Sequence, residues 1–103
     1  NVLLDSNLNI PNNFTLKQNY PNPFNPVTNV SYTLFEEELI EITIVDLNGS
    51  HVKTLISGRQ SPGFYSIQWA GDNQIGQQVG AGLYIYMLRA GNHTQSKKML
   101  FLK

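Results

Sequence analysis

Val30-Ser31-Tyr32-Thr33-Leu34, an acidic break at Glu36-Glu37-Glu38, then Ile40-Glu41-Ile42-Thr43-Ile44 and Asn48-Gly49 decide the fold class. Apolar and polar residues alternate with a period of two on both sides of the break, the signature of half-buried strands. Asn48-Gly49 then predicts a tight hairpin, because both residues tolerate the positive φ of a type I′ turn. Val52 to Ile56 is the returning strand, and its blurred alternation predicts a bulge or an edge position.

The same grammar extends in both directions. Downstream, Ser61-Pro62-Gly63 is a turn, and Tyr65, Ile67 and Trp69 alternate with Ser66 and Gln68. A Gly-rich loop covers residues 70–82, and Leu83 to Leu88 is apolar on both faces, as in a central strand. Gly91-Asn92 marks another turn before Met99 to Leu102 closes the chain as a strand. Upstream, Phe14-Thr15-Leu16-Lys17 alternates, whereas Tyr20-Pro21-Asn22-Pro23-Phe24-Asn25-Pro26 cannot join a regular ladder. Its three prolines each fix φ and remove a donor. Helix signals are almost absent. About seven strands with regularly spaced turns predict an all-β, immunoglobulin/fibronectin-like β-sandwich of antiparallel strands; a small closed barrel is the alternative.

At 103 residues the chain is one domain, read as an N-terminal arm or linker over 1–13 and a sandwich over 14–103. The arm candidates are Val2, Leu3, Leu4, Leu8 and Ile10. Seven basic and seven acidic residues cancel, so no polyanion is held by counterion release and nucleic acid is not an expected partner. There is no cysteine, which excludes disulfides and thiol chemistry. No run reaches the length of a membrane helix, so insertion is not expected, and no signal peptide is visible. The segment is then cytosolic, or a mature or internal piece of a secreted precursor.

Chemistry is not expected. His51 and His93 sit beside turns, too far apart and too few for a metal site. The loop Gly71-Asp72-Asn73-Gln74-Ile75-Gly76 has too few carboxylates for calcium and reads as an Asx-turn loop. Glu36, Glu37, Glu38 and Glu41 read as a solvated turn. With no Ser-His-Asp set and no phosphate loop, the expectation is a non-enzyme without cofactor or metal. Trp69, Tyr84 and Tyr86 read as packing residues. Phe64 and Tyr84 are the only candidates for a carbohydrate-binding platform. Asn-x-Ser/Thr sequons stand at Asn13, Asn29, Asn48 and Asn92, the last two at turn tips.

Over residues 14–103 the chain resembles the immunoglobulin-like C-terminal sorting domains (type A) of the type IX, or Por, secretion system. The opening phrase runs Phe14-Thr15-Leu16-Lys17-Gln18-Asn19 and on through Tyr20-Pro21-Asn22-Pro23-Phe24-Asn25-Pro26. The later blocks are Ile44-Val45-Asp46-Leu47-Asn48-Gly49, Pro62-Gly63, Trp69, Gly82-Leu83-Tyr84 and the ending Lys97-Lys98-Met99-Leu100-Phe101-Leu102-Lys103. Phe35, Ala70, Asn73 and Ala81 depart from the family pattern. A weaker resemblance is to the immunoglobulin-like domain of flagellar hook-capping proteins.

The first resemblance implies a portable address on a secreted cargo, passing the periplasm to the cell surface or medium. Its implied partners are an outer-membrane translocon, a shuttle and a sortase-type peptidase. Tyr20, Pro21, Asn22, Pro23, Phe24, Asn25 and Pro26, with Lys97, Lys98 and Lys103, form the candidate recognition motif. The bland account is a rigid entry to the first core strand, with Tyr20 and Phe24 plugging the open end. The alternative function is an extracellular structural module whose arm adds a strand to a neighbour's sheet, giving a filament or surface-layer subunit.

Overall fold

The computed structural model describes residues 14–103. The candidate arm residues Val2, Leu3, Leu4, Leu8 and Ile10 lie outside them. The alternating segments become seven strands: β1 (Phe14–Leu16), β2 (Thr28–Leu34), β3 (Glu38–Asp46), β4 (His51–Gln60), β5 (Gly63–Trp69), β6 (Gly82–Ala90) and β7 (His93–Phe101). They form two antiparallel sheets, ordered β1-β2-β5 and β4-β3-β6-β7. This is the predicted immunoglobulin-like sandwich, and the described residues contain no helix.

Alternation places the core. Val30, Tyr32 and Leu34 of β2 face Ile40, Ile42 and Ile44 of β3 and Tyr84, Tyr86 and Leu88 of β6, all of them buried. Burying each such side chain contributes about 1.5–3 kcal/mol. β6 is central, as its two apolar faces suggested, although Leu83 on its outer face is exposed. β4 is an edge strand whose pairing with β3 shifts register between Ile42 and Thr43 and again between Ile44 and Val45. Those shifts are why its alternation is blurred in the sequence.

The β3–β4 turn differs from expectation. Gly49 N–H donates to Asp46 C=O at 2.9 Å, and Asp46 N–H to Ser50 C=O at 3.0 Å. The loop therefore has three residues, a turn closed by Gly49 at φ 83° rather than a two-residue type I′ turn. Asp46 draws the chain in by accepting from the N–H groups of Asn48 and Ser50 through Oδ1. Gly91, at φ 60°, opens a two-residue turn between the paired Ala90 and His93.

Candidate functional site

The two separate stretches of the recognition motif meet at one edge of the sandwich. β7 ends the four-stranded sheet, and its outward backbone groups would otherwise be open. Residues 18–24 cover them. Phe24 N–H donates to Leu100 C=O, and Leu102 N–H donates to Phe24 C=O, both at 3.0 Å. Leu100 N–H donates to Asn22 Oδ1 at 3.0 Å, and Gln18 Nε2 donates to Lys98 C=O at 2.7 Å. The prolines explain the geometry: a segment lacking donors at 21, 23 and 26 cannot form a strand ladder, so it pairs with β7 once, through Phe24, as a parallel bridge to Phe101, and with β2 once, through Tyr20.

Phe24 is the anchor. Its ring stacks on Phe101 at 4.9 Å between centroids and lies 5.6 Å from Trp69, which in turn meets Tyr84 edge-on at 5.3 Å. All four aromatic rings are buried. Gly71 must be glycine here: at φ 70° an added Cβ would stand 2.6 Å from the Phe101 ring. Trp69 Nε1–H donates to Asp72 C=O at 2.8 Å, tying the 71–77 loop to the same cluster. Asn73 Oδ1 accepts from Ile75 and Gln77 N–H, the Asx-type loop expected.

Beneath the phrase lies a polar cluster that the sequence reading missed. Asn19 and Thr28 are the buried polar residues of the described chain. Asn19 N–H donates to the Tyr86 hydroxyl at 2.8 Å, and that hydroxyl donates to Lys17 C=O at 2.7 Å. Asn19 Nδ2 donates to Thr28 Oγ1 at 2.9 Å and to Pro21 C=O at 3.1 Å; Thr28 Oγ1–H donates to Pro21 C=O at 2.8 Å. The chain is thus held on either side of Tyr20 by satisfied, buried bonds. Burial pushes the Tyr86 hydroxyl pKa up to about 12, against the lowering effect of the Asn19 N–H bond. A signal existed: Gln-Asn directly before a proline-rich phrase is a run of side-chain donors beside backbone that cannot supply them.

The placement corrects one expectation and separates two of the motif's lysines. Tyr20 is not a plug; it is 79% exposed, and only Phe24 enters the core. Lys97 and Lys98 do not form one patch, because adjacent residues of β7 project to opposite faces of the sheet. Lys98 and Lys103 are exposed and Lys97 is half-buried, its neighbour across the sheet being Tyr86. The exposed surface of the site is therefore Tyr20, Pro21, Asn22, Pro23, Asn25 and Pro26, beside Lys98, Leu102 and Lys103.

The remaining candidates scatter. Phe64 is exposed on the three-stranded sheet while Tyr84 is buried in the other, so they share no platform. His51 and His93 stand at the starts of β4 and β7, and no metal-holding group of acidic and histidine side chains occurs among the described residues. Glu41 is not merely solvated: it pairs with Arg89 at 2.8 Å on the outer face of β3 and β6.

A profile of the FlgD Ig-like domain matches residues 28–93. The chain belongs to the FlgD Ig-like domain family. Of the two resemblances, the hook-capping one is the one this match supports. A FlgD Ig-like profile of that extent begins at β2 and stops at the start of β7, so it leaves out both segments that build the clamped edge. Among solved structures, the chain resembles a part of dimeric latent PorU from Porphyromonas gingivalis, with a TM-score of 0.70 at 16% identity. The likeness covers 96% of this chain and 10% of that one, and is a likeness of fold. No curated protein sequence matches.

Proposed function

We propose that this FlgD Ig-like domain is a sorting module, directing a secreted cargo through the type IX secretion system to the cell surface or medium. It acts by being recognised and performs no chemistry. Its partners are an outer-membrane translocon, a shuttle and a sortase-type peptidase; it needs no cofactor, binds no nucleic acid and does not insert into membrane.

One observation carries this reading. The two segments that most resemble a sorting domain lie outside the family-matched core, and the fold clamps them together on one exposed edge. A receptor reading that edge would read only a finished fold, because the phrase and the final strand are adjacent in no unfolded chain.

The test is a reporter fused ahead of this chain in a bacterium with a type IX system. Deleting Lys98 to Lys103 should strand the reporter in the periplasm, but it also removes Met99 and Phe101 from the core. Surface changes separate recognition from folding: Tyr20→Ser with Lys103→Glu should leave the melting temperature unchanged and lower the extracellular fraction. A folded parent module that leaves its reporter in the periplasm would sink the proposal.

A further inference from the structure

The two sheets are unequal, three strands against four, and the mismatch is on one side. β1 lies against β7, where Leu16 N–H reaches Gln95 Oε1 at 3.3 Å, so the smaller sheet is flush with that side. The surplus strand is β4, beyond β5. No residue of β4 is fully buried, and Val52, Leu55 and Ile56 on it are only partly covered, as are Tyr65 and Ile67 of β5. The smaller sheet is one strand short of roofing the larger.

Among the described residues, nothing pairs with the edge where that strand belongs. On β2, Ser31 C=O accepts from Lys17 and Asn29 exchanges both bonds with Tyr20, so the odd residues face the β1 side. The even residues therefore bond β5 through Gly63, Tyr65, Ile67 and Trp69. The N–H and C=O groups of Phe64, Ser66 and Gln68 point outward, and none of them has a hydrogen-bond partner among the described residues.

The other edges are protected. β1 has three residues, β7 is covered by Gln18, Asn22 and Phe24, and β4 has two register shifts and bonds to Gln74 through Val52 C=O and Thr54 N–H. β5 has no charge, proline or register shift, the features that normally blunt an edge.

We propose that the outer edge of β5 is a strand-acceptor site, and that its occupant is the segment around residues 2–10 of a second copy of this chain. The segment has a largely suitable pattern: Val2, Leu4, Ser6, Leu8 and Ile10 would fall on one face of an extended strand, and Asn1, Leu3, Asp5, Asn7 and Asn9 on the other. The apolar face would roof Val52, Leu55 and Ile56. Geometry favours a second copy over the chain's own segment. A strand beyond β5 lies three strand spacings from β1, about 14 Å. The four steps from Ile10 to Phe14 span at most about 14 Å fully extended, and the turns at 35–37 and 61–62 obstruct that straight path. The donor leaves from β1 and the acceptor is β5, on opposite edges of one sheet, so the contact is head-to-tail and propagates. This inference is independent of the sorting reading.

The test uses the 103-residue chain in two blocked forms. Ser66→Pro removes one outward N–H where an edge strand tolerates proline; Leu8→Asp with Ile10→Asp spoils the donor and leaves residues 14–103 untouched. The parent should form concentration-dependent oligomers by sedimentation, with exchange protection at the Phe64, Ser66 and Gln68 amides. Each blocked form should be a monomer with parental near-ultraviolet dichroism at Trp69. Mixed, they should give a one-to-one dimer, twice the 11.6 kDa chain mass, and nothing longer. If Ser66→Pro unfolds the domain, Ser66→Lys serves in its place. A parent that stays monomeric, blocked forms that fail to pair when mixed, or protection of those amides in a monomer would each overturn the proposal, the last by giving the edge to the chain's own segment.

Discussion

The Tyr86 hydroxyl serves two distant backbone groups from inside the core, the Asn19 N–H and the Lys17 C=O. Tyr86→Phe leaves both buried without that partner and should cost about 1–3 kcal/mol in a denaturant titration. The same hydroxyl predicts alkaline behaviour. Its folded pKa, raised to about 12, exceeds the ordinary tyrosine value near 10, so the unfolded chain loses its proton first. The stabilisation is complete below pH 10 and is lost as pH climbs toward 12. Tyr86→Phe should flatten that decline without abolishing it, because burial also raises Tyr32 and Tyr84. The sequence shows Tyr86 only as one member of an alternating pair. Its partners lie almost the whole chain away, and nothing local encodes them.

Among the elements, those with alternation were legible and those without it were not. β2, β3 and β5 follow from period-two patterning because one face of each turns toward the core, which is what the pattern measures, and β6 follows from its continuous apolar run. The β3–β4 turn was legible as a turn but not in type, since Asn-Gly serves both the two-residue loop and the longer one closed by a left-handed glycine. The clamp of residues 18–24 onto β7 was not legible, because one parallel bridge and two side-chain bonds leave no period. Gly71 belongs with it: one glycine in a Gly-rich loop, distinguished only by the Phe101 ring above it. Gly71→Ala should destabilise by about 2–4 kcal/mol, combining overpacking with a left-handed backbone, whereas Gly76→Ala meets no atom within 4 Å and should cost only its backbone strain. Thermal melts of the two variants check the difference.

At the scale of the molecule, residues 18–24 and the final strand close the same core from opposite ends of the described chain. Phe24, Met99 and Phe101 are buried together with Trp69. Removing Met99 to Lys103 therefore takes two core side chains and the cover of two more. Each large-to-small loss alone costs about 2–5 kcal/mol, against a total stability of about 5–15 kcal/mol. The truncated chain should show no cooperative unfolding transition by calorimetry.

The clamp between Phe24 and Leu100 also sets a clock. A polypeptide emerging amino end first, whether from a ribosome or a membrane pore, exposes the Tyr20 phrase before any strand from β2 onward and must wait for β7 before Phe24 finds its seat. Until Phe101 has cleared the exit, Trp69 and Phe24 have no lid and the sandwich cannot shut. Completion of the domain is in this sense a signal that its last strand has passed.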